Sequence, residues 1–67
     1  MNTRLYIGQR IKELRESRGL TQEELAKKAG LLQANLARIE AGKYSTGIDI
    51  LGAVAEALNV KLDFISK

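Results

Sequence analysis

The sequence contains no cysteine, no histidine, no proline and no tryptophan, and a single phenylalanine. Without cysteine there are neither disulfides nor thiolate metal sites, and without histidine the other common transition-metal ligand is missing too. The acidic residues Glu13, Glu16, Asp49, Glu56 and Asp63 show no paired or motif spacing. An enzyme is therefore a poor reading, and no cofactor or metal is expected. No apolar run approaches the roughly 20 residues of a membrane span. The N-terminus lacks the apolar core of a signal peptide, so a cytoplasmic location is expected. The lack of proline, with abundant Ala, Leu, Glu and Lys, favours helix throughout.

The chain has 67 residues, enough for one domain spanning 1–67. At this size only about 60% of the unfolded chain's surface is buried on folding, so a second subunit would add stability. Eleven Lys and Arg stand against eight Asp and Glu, a net charge of +3. The excess is concentrated early: Arg4, Arg10, Lys12, Arg15 and Arg18 oppose only Glu13 and Glu16 in the first twenty residues. A basic N-terminal part suits a polyanion through counterion release. It equally suits an ordinary solvated surface, and charge alone does not decide.

The most informative stretch is Leu20 to Glu40. Thr21 is a good N-cap, Glu24 three residues later completes a capping box, and Leu20 and Leu25 are spaced as a hydrophobic staple. Gly30 suits the left-handed turn that ends this helix, and a second helix begins about three residues on. A helix-turn-helix of this kind, at about 21–41, places its second helix where it can enter a DNA major groove.

Around it, the spacing of Ile7, Ile11 and Leu14 predicts a first helix over about 5–18, ended by Gly19, with Thr3 a candidate cap and Gly8 blurring its start. Further helices are expected over about 22–29, 33–41 and 48–58, the last with Ile48, Leu51, Val54, Ala55 and Leu58 at spacings of three and four and ended by Asn59. Residues 43–47 read as a loop. In the final segment, Val60, Leu62 and Phe64 alternate with Lys61 and Asp63. That pattern favours a short strand, with a fifth helix as the competitor. A lone strand needs a partner for its backbone groups, and the simplest is the same strand of a second subunit, paired about a two-fold axis. Residues 60–66, with Leu62 and Phe64, are thus the expected dimer segment. The fold class expected is all-α, a compact four- to five-helix domain with this C-terminal β-strand at the dimer interface.

On a helical wheel, Leu32, Leu36 and Ile39 of the third helix face the core, while Gln33, Ala34, Ala37, Arg38 and Ala41 face outward. Gln33 is suited to adenine and Arg38 to guanine or a phosphate. Ala34 and Ala37 allow close approach and offer methyls to thymine. Gln22, in the first turn of the second helix, is placed to hold a phosphate, as are Asn35, Lys43 and Tyr44. For each of these the plain alternative is solvated surface. Arg15 and Glu40 each flank an apolar stripe, and packing the first helix on the third would join them as a buried, structural ion pair.

With these residues in hand, the chain resembles the Cro and phage-repressor type of helix-turn-helix regulator, the XRE family. The resemblance covers about residues 7–65. Its carriers are Ile11 to Arg15, Gly19 to Ala26, Gly30, Ala34 to Leu36, Arg38 to Glu40, Gly42-Lys43 and Ala55 to Leu58. It implies a lambda-repressor-like domain that binds double-stranded DNA, usually as a homodimer on a palindromic operator. By position, Gln33, Ala34 and Arg38 match the family's base-reading sites. Gln22, Asn35 and Lys43 match its phosphate sites, and Arg15 and Glu40 its internal ion pair. Three departures stand out. Leu32 replaces the usual Ser or Thr cap of the third helix, a loss of about 1 kcal/mol. Thr46-Gly47 replaces the common Pro-Ser. The C-terminal segment lacks a helix-five cap and is more similar to members, some antitoxins among them, whose C-terminal strand builds the dimer.

The function expected is sequence-specific DNA binding by a transcriptional regulator, most simply a repressor. The alternative is an antitoxin-type module that binds a toxin and regulates its own operon, although 67 residues leave little room for a separate toxin-binding segment.

Overall fold

The computed structural model describes residues 2–65. Four α-helices account for most of them: α1 (Thr3–Ser17), α2 (Gln22–Ala29), α3 (Gln33–Glu40) and α4 (Ile48–Ala57). The ends of α2 fall where its signals predict. Thr21 Oγ1 accepts from the Glu24 N–H at 3.1 Å, and the Glu24 carboxylate accepts from the Thr21 N–H at 2.9 Å. At α1 the cap is Asn2 rather than Thr3, with its Oδ1 accepting from the Leu5 N–H at 3.1 Å. No side chain caps α3, as expected for Leu32 at that position.

Each helix ends in the same way. Gly19, Gly30, Gly42 and Asn59 take left-handed φ angles of 66°, 73°, 74° and 59°. The next N–H then reaches back to a helix carbonyl: Leu20 to Arg15, Leu31 to Ala26, Lys43 to Arg38 and Val60 to Ala55, at 2.8–3.1 Å. These are the bonds of the Schellman motif, which satisfies carbonyls the last turn leaves free. Sharp endings of this kind keep the connections short and fold the chain without proline.

The core is Ile11, Leu25, Ala26, Leu36, Ile39, Val54 and Leu58, where α1 packs on α3 and α2 packs on both α3 and α4. Gly8 is buried at the α1–α3 contact. A methyl group there would overlap the carbonyl oxygens of Ile39 and Glu40. The residue that only blurred a helix start in the sequence is what lets the two backbones approach.

Three expectations need correction. Leu32, which the wheel turns toward the core, is 71% exposed, and Ile48, at the start of the apolar spacing of α4, is 72% exposed. Leu32 has an extended N-cap backbone, so a helical phase angle does not apply to it. Ile48 opens α4, and the side chain of a first helical residue leans toward the N-terminus, off the packed turns. The C-terminal segment is the third. Residues 61–65 form neither the strand nor the fifth helix. A strand needs a ladder partner, and the single chain offers none. Residue 66 of the expected dimer segment lies outside the described residues. The fold is an all-α four-helix domain of the lambda-repressor-like kind.

Candidate nucleic-acid interface

Polar groups buried behind α3 fix its position. Arg15 Nε donates to Glu40 Oε2 at 2.8 Å and Arg15 Nη2 to Glu40 Oε1 at 3.1 Å, a two-pronged pair between α1 and α3. Arg15 Nη1 donates to the Leu20 carbonyl at 2.8 Å. Gln22 Nε2 donates to Glu40 Oε1 at 3.0 Å. The network thus joins α1, the entry to α2, the first residue of α2 and the last residue of α3. The hydrogen bond to Glu40 raises the Arg15 pKa above its already high ordinary value, against the opposing effect of burial. The satisfied donors and acceptors of the pair set how α2 and α3 sit relative to each other.

On the other side of α3 the side chains are unengaged. Gln33, Ala34 and Arg38 are exposed, Asn35 and Ala37 half-buried. Neither Gln33 nor Arg38 makes a side-chain hydrogen bond among the described residues. Lys43 and Tyr44 follow directly from the end of α3 and are exposed. All the sequence-assigned base-reading positions therefore lie on one helix, with Lys43 and Tyr44 just beyond its end. Gln22 is different. It is half-buried with its carboxamide turned to Glu40, which leaves its second amide hydrogen without a partner among the described residues.

One polar tie has no counterpart in the sequence reading. Arg18 Nε donates to the Leu58 carbonyl at 2.6 Å, pinning the end of α1 to the C-cap of α4. A cation at a helix C-terminus complements the helix dipole there. The basic residue at the end of α1 is a visible signal, but its partner lies 40 residues away. Among the described residues there is no acidic cluster able to hold a metal, and no helix long and apolar enough to cross a membrane.

A family model described as helix-turn-helix matches residues 11–65. The chain belongs to the helix-turn-helix family of Cro-type transcriptional regulators. It is 46% identical over 61 residues to the immunity repressor protein of Bacillus phage phi105, covering 91% of this chain and 42% of that protein. The chain thus spans less than half of that repressor's length. It is 37% identical over 54 residues to an uncharacterized HTH-type transcriptional regulator of Archaeoglobus fulgidus, covering 81% of this chain and 77% of the relative. Among solved structures it is similar to the restriction-modification controller protein C.AhdI from Aeromonas hydrophila. That similarity has a TM-score of 0.88 at 31% identity and covers 91% of this chain and 92% of the controller.

Proposed function

We propose that this transcriptional regulator binds double-stranded DNA sequence-specifically as a homodimer in the cytoplasm and acts as a repressor, with α3 in the major groove. The observation that carries the reading is the division of α3 into two faces. Glu40 at its inner edge is fully engaged with Arg15 and Gln22, while the exposed side chains of Gln33 and Arg38 make no hydrogen bond among the described residues. Gln33 pairs with adenine N6 and N7, and Arg38 with guanine O6 and N7. Ala34 and Ala37 admit the helix to the groove floor and touch thymine methyls. Asn35, Lys43, Tyr44 and the start of α2 at Gln22 hold phosphates on either side.

The dimer is supported by the C-terminal segment. Leu62 and Ile65 are exposed and Phe64 is 100% exposed, an apolar group that a two-fold partner would cover. Two copies of α3 then enter successive major grooves about 34 Å apart. Repression follows from occupying a promoter, in keeping with the similarity to the immunity repressor protein of Bacillus phage phi105. Selection from a random duplex pool at about 150 mM salt, where non-specific phosphate binding is weak, tests the reading. An inverted repeat is expected, and its half-site spacing measures the separation of the two α3 helices. Failure to enrich any sequence overturns it.

A further inference from the structure

The five arginines divide by what they touch. Arg10 pairs with Glu13 at 2.9 Å, Arg15 with Glu40, and Arg18 donates to the Leu58 carbonyl. Arg38 and Arg4 make no ion pair or side-chain hydrogen bond among the described residues. Arg38 is accounted for on α3. Arg4 is not.

Arg4 lies in the first turn of α1, on a cleft of about 200 Å³ between that turn and the loop that follows α3. Thr3, Tyr44, Ser45 and Thr46 supply the other polar groups of its lining. The first turn of α1 carries no acidic residue, and among the described residues no carboxylate lines the cleft. Thr46 adds a buried hydroxyl oxygen with no hydrogen-bond partner among the described residues. Buried polar atoms are rarely left unmet, so this one marks a place where the bare chain is incomplete. The cleft is also held in place. Gly42, at the start of the loop, lies so close to α1 that a methyl on it would come within 2.7 Å of the Leu5 Cα. The cleft shares Tyr44 with the loop that leaves α3.

We propose that this cleft seats one phosphodiester of the DNA backbone, with Arg4 as the charged donor and the hydroxyls of Thr3, Tyr44, Ser45 and Thr46 around it. A guanidinium among hydroxyls, with no competing carboxylate, matches the donor set of a backbone phosphate contact. The seat rests on the DNA-binding reading above and extends the footprint from α3 to α1. It adds affinity without sequence preference, because a phosphate carries no base identity.

The test is a salt titration of binding to a random-sequence duplex and to the selected operator, using the full chain and Arg4→Gln. Each lost phosphate contact lowers the slope of log affinity against log salt by about 0.9, so per bound chain the fall between about 50 and 200 mM becomes about 3.5-fold shallower. The same change is expected on both duplexes. Arg4→Lys, which keeps the charge, should restore the slope. Circular dichroism of Arg4→Gln should match the parent, since Arg4 is exposed. If the parent binds DNA and Arg4→Gln has an unchanged slope, the seat is wrong and the DNA reading stands. If the parent binds neither duplex, both fall. A loss confined to the operator would make Arg4 a sequence reader and overturn the phosphate assignment.

Discussion

Arg15 is buried and directs its donors to Glu40 and the Leu20 carbonyl, whereas Arg38 is exposed and its side chain makes no hydrogen bond among the described residues. The same side chain is a fixture in one place and, in the proposed function, a reading group in the other. Removing one partner of a buried pair strands the other charge, at about 3–5 kcal/mol. A domain of this size rarely has more than that in reserve. Arg15→Met and Glu40→Leu are each expected to be largely unfolded in a urea titration at 25 °C, while the double variant recovers much of the loss by replacing both charges with apolar volume. Arg38→Ala should leave the melting temperature unchanged and weaken operator binding by about 1–3 kcal/mol, with relaxed preference at one or two base pairs. An equal loss on operator and random duplex would make Arg38 a phosphate ligand. The Arg15–Glu40 pair is legible in the sequence because each residue sits at the edge of an apolar stripe. The Gln22 bond to Glu40 is not, since Gln at a helix start has local uses of its own and its partner lies 18 residues away.

At the level of the element, helix ends are the best-read features because their chemistry is local. The Thr21–Glu24 box and the left-handed endings at Gly30 and Asn59 need no knowledge of the fold. The α1 cap is ambiguous for the same local reason: Asn2 and Thr3 are adjacent and both cap well. The packing role of Gly8 is invisible locally, since it depends on α3 carbonyls some thirty residues later. Leu32→Ser would give α3 the cap it lacks. A gain of about 1 kcal/mol is expected, raising the melting temperature by about 4–8 °C. The α2 box is tested by pH. The Thr21 backbone N–H, and then its hydroxyl, hold the Glu24 carboxyl below its ordinary value of 4.5. Its stabilisation is complete above the unfolded-state value and is lost as pH falls through the lower folded-state value. Between about pH 5 and pH 3 the parent's melting temperature should therefore fall more steeply than that of Glu24→Gln, which keeps the capping geometry without the charge. Parallel curves would show that the charge contributes nothing.

For the whole molecule, the fold within one chain is well read and its outer surface less so. The alternation of residues 60–65 is real, but a strand exists only with a second strand beside it, and the single chain leaves Phe64 and Ile65 in solvent. An apolar groove of about 250 Å³ runs between α1 and α4 beside this segment, with Tyr6, Leu14, Leu58 and Leu62 in its lining. The tail and the groove together form the surface that the proposed dimer would close. Phe64→Asp should slow sedimentation from dimer to monomer and lower operator affinity, because only a dimer can hold two half-sites at once. An unchanged sedimentation coefficient would place the interface elsewhere. A different consequence follows from the two-faced α3. Gln33, Ala34 and Arg38 support nothing behind them, so drift at these three positions is not opposed by folding. On the proposed function, descendants of this chain can change the operator they read while inheriting the same frame, and a new specificity requires no compensating change in the core.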